Sequence, residues 1–269
     1  MELRMMDATQ LPKISSNADE QIKLIEKHDI LVRIAHWTNI PILTALIMSG
    51  FSIYWASPVI TIPTSDGNKD LFAILGGWFL KYFPNSSEDE RNWFYDHFAF
   101  GSRSLASALN IHWLCAYLFM IVAVLYVLGL ARSGAYKALL PRPSDLPNGL
   151  KMFLYYLKVF PCFILRKPNP HPVVTSKYNA LQRTAYFSVS VVSLLSILTG
   201  WAIHKPAQLG WLQAAFGGYD LARLWHFLAM LFFLSFVVPH VFLVAVDGVD
   251  TFRSMVVGWS DRTKELSDE

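Results

Sequence analysis

Four long apolar runs, each about as long as a bilayer is thick, constrain this chain more than any other feature. They cover roughly residues 31–55, 105–130, 181–203 and 221–246. A hydrocarbon core of about 30 Å takes about 20 residues of helix. Backbone in lipid must satisfy its own hydrogen bonds, so each run is expected to be helical. The expected fold class is an all-α integral membrane protein, a four-transmembrane-helix bundle. Composition agrees: the 269 residues are 54% hydrophobic and 16% charged, whereas soluble domains carry about 25% charge. That balance excludes disorder and most soluble enzymes, and a net charge of +3 gives no reason to expect nucleic acid. Pro41 and Pro239 fall inside the runs and read as kinks of the kind packed membrane helices tolerate.

Basic residues set the expected orientation. Between the second and third runs, from Arg132 to Arg183, nine Lys or Arg face Asp145 alone. The connection from 57 to 104 is instead dominated by Asp and Glu. The positive-inside rule places the first of these in the cytoplasm and the second, an insertion, in the periplasm. Residues 1–30 are then a cytoplasmic segment, 31–246 the membrane domain and 247–269 a cytoplasmic tail. The apolar clusters Leu71–Leu80 and Trp93–Phe100 suggest short surface helices or a docking surface. The aromatic and basic stretch Gly149–Leu165 reads as an interfacial helix on the inner leaflet.

Eight histidines are present, and His36, His112, His226 and His240 fall inside the apolar runs. An ionisable group in lipid is costly and points to function. His226 and His240 are 14 residues apart, hence within about 40° of one helix face and about 21 Å apart along it. Following the chain direction, His36 and His240 share the inner depth, and His112 and His226 the outer depth. Imidazole suits iron, and two axial histidines per iron describe a low-spin b haem that carries electrons and has no open position. The expectation is two haem b groups between the helices. Zinc, which gathers about four ligands, fits less well. Arg33 and Arg223 each stand one turn before a histidine and are candidates for haem propionates. Gly50, Gly129 and Gly200 are small residues that let membrane helices or a flat cofactor come close. His28, His97, His171 and His204 read as solvated or headgroup residues. Cys115 and Cys162 form no CxxC or CxxCH motif.

Several motifs add a resemblance. Arg33-Ile34-Ala35-His36-Trp37 resembles the opening of the cytochrome b subunits of membrane-bound nickel–iron hydrogenases. The run from Arg223, with its 14-residue histidine spacing, resembles their last helix, and the stretch from Thr251 resembles the segment after that helix. Lys177–Arg183 is similar to the entry of the third helix in formate dehydrogenase gamma and thiosulfate reductase cytochrome subunits. The long 57–104 connection departs from the hydrogenase pattern. The resemblance implies an electron-transfer subunit of a quinone-linked oxidoreductase complex in a bacterial or archaeal cytoplasmic membrane. It implies a periplasmic partner carrying iron–sulfur or other redox centres, of hydrogenase or molybdenum-enzyme type. It implies menaquinone or ubiquinone reacting near the inner haem, with Asn179 and Gln182 as candidate quinone-binding residues; from the residues alone, Asn179 reads equally as a helix cap and Gln182 as an interfacial polar residue. By the same resemblance Lys177 and Arg183 are candidates for propionates or a phospholipid. Two rivals remain: a haem-free membrane anchor, which predicts no pigment, and a stand-alone transmembrane reductase, which predicts activity without a partner. The chain has no GxGxxG loop to support the latter.

Overall fold

Asp29 begins the bundle. Its carboxylate accepts the Leu31 N–H at 2.8 Å, satisfying a donor that the first helical turn would leave orphaned. The same carboxylate holds Arg132, 2.9 Å away, at the far end of the second long helix. In the computed structural model α1 then spans Ile30–Ala56, with Pro41 inside it. Ser104 caps α2, Leu105–Ser133, and Gly134 closes it in the left-handed conformation, φ 68°, which a side chain disfavours. A short α3, Tyr136–Leu139, and a longer α4, Asp145–Ile164, come next. A capping box opens α5, Ala180–His204, in which Asn179 and Gln182 bond each other's backbone N–H. A single-turn α6, Gly210–Ala215, leads to α7, Tyr219–Asp247, and then α8, Val249–Val257. The structure describes residues 24–26, 28–65, 67–70, 100, 104–164, 179–247 and 249–261.

Four of these helices are long and apolar enough to cross a membrane: Ile30–Ala56, Leu105–Ser133, Ala180–His204 and Tyr219–Ala245. Their positions match the four apolar runs to within a few residues. The fold is an all-α membrane bundle with two small antiparallel ribbons attached. In one, β1, Leu24–Glu26, pairs with β4, Trp259–Asp261, so the segments flanking the bundle are clasped together. In the other, β2, Thr61–Thr64, pairs with β3, Gly67–Asp70. The 57–104 connection therefore begins with a hairpin. The apolar clusters expected at 71–80 and 93–99 lie outside the described residues, as do His97, His171 and Lys177.

The long helices associate as two pairs, α1 with α2 and α5 with α7, while the backbones of opposing pairs stay apart. Within the first pair the approach is close because Gly129 has no side chain. A Cβ there would stand 3.0 Å from Leu31 Cβ and from the Val32 backbone nitrogen. A small buried cluster of Ala35, Ile42, Phe119 and Val122 fills this pair's inner face. Outward-facing residues such as Leu114, Ile121 and Val124 remain exposed, as expected where the solvent is hydrocarbon.

Candidate functional site

Between the two helix pairs lies an apolar gap crossed mainly by ring side chains. His112 on α2 faces His226 on α7, with ring centroids 6.0 Å apart and planes at 65°. His36 on α1 faces His240, also on α7, again with centroids 6.0 Å apart and planes at 62°. The structure thus brings together the pairs that topology matched by depth. His36 and His240 lie near the bundle end where the flanking segments are clasped; we call this the terminal site. His112 and His226 lie toward the other end, inside a large cavity; we call this the cavity site.

The cavity has a volume of about 230 Å³, opens on one side and is lined from all four long helices. Gly50 and Gly200 are part of its wall; Gly200 lies tight against one imidazole, while Gly50 stands in ordinary contact with the other. A Cβ would meet His112 Cε1 at 3.8 Å from Gly50 and His226 Cε1 at 3.2 Å from Gly200. The cavity floor includes Phe119 and Phe233, which meet edge to face with centroids 6.5 Å apart. Phe233 is seven residues from both His226 and His240, so this buried aromatic contact stands midway between the two sites.

Hydrogen bonds hold the cavity-site rings. Ser49 Oγ lies 2.9 Å from His112 Nδ1, and Thr199 Oγ1 lies 3.1 Å from His226 Nδ1. At the terminal site the rings meet aromatic neighbours. Trp37 lies edge-on to His36 at 5.4 Å, and Phe236 stacks on His240 at 5.2 Å.

A centroid separation of 6.0 Å is too wide for one imidazole to hydrogen-bond the other. It does suit a metal ion between them, because a ring nitrogen binds a metal at about 2.0–2.1 Å and the ring centre lies about 1 Å further back. Among the described residues no group of three or more His, Cys, Asp or Glu converges on one centre. Two imidazoles alone leave most of a metal's positions unfilled, so the donor set asks for a metal that brings its own equatorial ligands. A porphyrin does so, and the spacing of the facing imidazoles and the apolar lining between them suit one.

The remaining predicted residues fall less simply. Arg223 lines the cavity, and its guanidinium donates to the Ser57 carbonyl at 2.5 Å and to Ser57 Oγ at 3.0 Å. Arg33 instead donates to the Val256 carbonyl, and Trp37 Nε1 donates to that of Met255 at 3.1 Å. Both side chains pin α8 against the start of α1. Arg183 is buried and pairs with Asp145 at 3.6 Å. Asn179 and Gln182 are engaged in the capping box, and Asn179 Nδ2 donates to the Tyr156 hydroxyl at 3.2 Å. His204, expected to be solvated, is half-buried and lines the cavity. Sequence reasoning passed over Ser49, Thr199, Phe119 and Phe233. A trace of the first two was present: a hydroxyl residue followed by glycine occurs at 49–50 on α1 and again at 199–200 on α5.

Taken together, the fold and the facing histidines define a class: a helical membrane protein built to hold a metal-centred prosthetic group between its helices. The prokaryotic cytochrome b561 family matches residues 27–258, and this chain belongs to it. Membership makes it a membrane haem subunit of electron transfer and implies haem b binding. A putative protein-methionine-sulfoxide reductase subunit, YedZ1, from Azospira oryzae is 27% identical over 227 residues. The match covers 81% of this chain and 90% of that one. No solved structure matches.

Proposed function

We propose that this chain is a di-haem b-type cytochrome that carries electrons across the membrane between a periplasmic oxidoreductase and the quinone pool. The observation that carries this reading is the pair of facing histidine couples, each 6.0 Å between ring centroids, at different depths of one bundle. His36 and His240 would hold one haem, and His112 and His226 the other. When bound, a bis-histidine b haem supplies one-electron exchange at iron with no open position for oxygen or substrate.

The rest is the work of the chain's own groups. The gap is lined mostly by apolar side chains, and Phe119 with Phe233 stands between the sites. Arg223 sits on the cavity wall, and a guanidinium has five donors, so its bonds to Ser57 leave capacity for a propionate. The positive-inside asymmetry puts the terminal site at the cytoplasmic face. At the start of α5 the capping box uses the side-chain oxygens of Asn179 and Gln182, and Asn179 also donates to Tyr156, so the Gln182 amide N–H groups are the donors left for a quinone carbonyl. Quinol oxidised there releases its protons to the cytoplasm, and quinone reduced there takes them from it.

The partner sets the direction. A hydrogenase-type partner puts electrons into the chain, whereas a reductase, the role in the name of the Azospira relative, draws them out. Proteoliposomes holding the haem-loaded chain test the quinone link. Menaquinol or ubiquinol analogues should reduce the haems, and Gln182→Ala should slow that reduction. Haems that dithionite reduces but neither quinol does would contradict the reading.

A further inference from the structure

Serine and threonine are ordinary in membrane helices, where the hydroxyl bonds back to the carbonyl four residues earlier. Thr44, Thr184 and Ser193 do this with Ile40, Ala180 and Val189. Ser49 and Thr199 begin the same way, donating to the Ala45 and Leu195 carbonyls, each at 2.7 Å. They differ in two respects. Both are completely buried, and each also touches the Nδ1 of a histidine at the cavity site, at 2.9 and 3.1 Å.

The proton count then decides the imidazole tautomer. A hydroxyl has one proton, and here a carbonyl takes it. The oxygen can therefore only accept from the ring, so Nδ1 carries hydrogen and Nε2 keeps its lone pair. Two donor–acceptor chains of one design thus converge on one site from opposite helix pairs, Ser49 on α1 and Thr199 on α5. Each hydroxyl is followed by a glycine on the cavity wall beside the ring it holds. Among the described residues no hydroxyl is bonded to His36 or His240, whose neighbours are Trp37 and Phe236.

We propose that Ser49 and Thr199 are positioning residues of the cavity site, fixing the tautomer and ring planes of His112 and His226 and lowering the reduction potential of the haem held there. This rests on the di-haem reading above. The physical link is that a hydrogen bond accepted from Nδ1–H makes the imidazole a stronger electron donor through Nε2, which favours the ferric state. The terminal site, without the hydroxyls, is the internal control.

The test is a redox titration with low-temperature EPR on the full haem-loaded chain, comparing wild type with Ser49→Ala, Thr199→Ala and Thr199→Ser. Each alanine variant should shift one of two midpoint potentials upward and change the low-spin signal of that haem, leaving the other haem alone. Thr199→Ser, which keeps the hydroxyl, should return both readouts to the wild-type values. Unmoved potentials and spectra with both haems retained would overturn the proposal, and so would equal shifts of the two haems. Loss of one haem in Thr199→Ala supports it if Thr199→Ser restores that haem and contradicts it if Thr199→Ser also loses it. Failure of the underlying reading looks different: the wild-type chain itself would then bind no haem.

Discussion

Arg183 shows how much a single side chain's destination matters in this bundle. A cation near a haem invites the role of propionate anchor, yet its ion-pair partner is Asp145, with both side chains almost wholly buried. Asp145 also accepts the Arg142 N–H at 2.7 Å, so the carboxylate is held at the turn that starts α4. Removing one member of a buried pair costs about 3–5 kcal/mol, because the other charge is left uncompensated. Arg183→Ala should therefore lower the thermal unfolding temperature of the detergent-solubilised chain while leaving its haem content and Soret spectrum intact. A stable variant with a changed haem spectrum would return Arg183 to the propionates. Arg33 makes the same point. The sequence places it one turn before His36, but its acceptor at Val256 is 223 positions away, a pairing that no local pattern announces.

At the scale of elements, two features carry expectations. The first is the contact between α1 and α2, where the Gly129 position is bounded by the Val32 backbone and not by a flexible side-chain tip. Backbone cannot easily give way, so Gly129→Ala should force the pair apart at a cost of about 1–3 kcal/mol. Thermal unfolding of the variant checks this; an unchanged transition would show that the helices slide to accommodate the methyl group. The second is α4. Leu146, Leu150, Leu154 and Leu157 are 85, 60, 49 and 57% exposed, and their spacing puts them on one helix face. An apolar stripe turned away from the bundle suits a helix lying at the lipid interface. A spin label at Leu154→Cys, with Cys115 and Cys162 replaced by serine, should be more accessible to oxygen than to a water-soluble nickel chelate. The reverse order would place that face in water.

At the scale of the molecule, the parts legible in the sequence are those governed by helix periodicity and bilayer thickness. The four spans follow from apolar length alone. The histidine couples follow from chain direction and the 14-residue spacing on α7. The features that stayed hidden depend on contacts between distant segments. The clasp of β1 with β4, the pinning of α8 by Arg33 and Trp37, and the hydroxyls of Ser49 and Thr199 all need the folded bundle to bring their partners together. The account as a whole stands on two separate haem sites sharing α7. The most direct test is a pyridine haemochrome assay with a haem-to-protein ratio on the purified chain and on His226→Ala and His240→Ala. The account predicts about two b haems per wild-type chain and about one in each variant, the remaining haem differing between them, since each iron takes its own pair of axial imidazoles. A wild-type chain with a single haem, or one whose haems survive both substitutions, would contradict it.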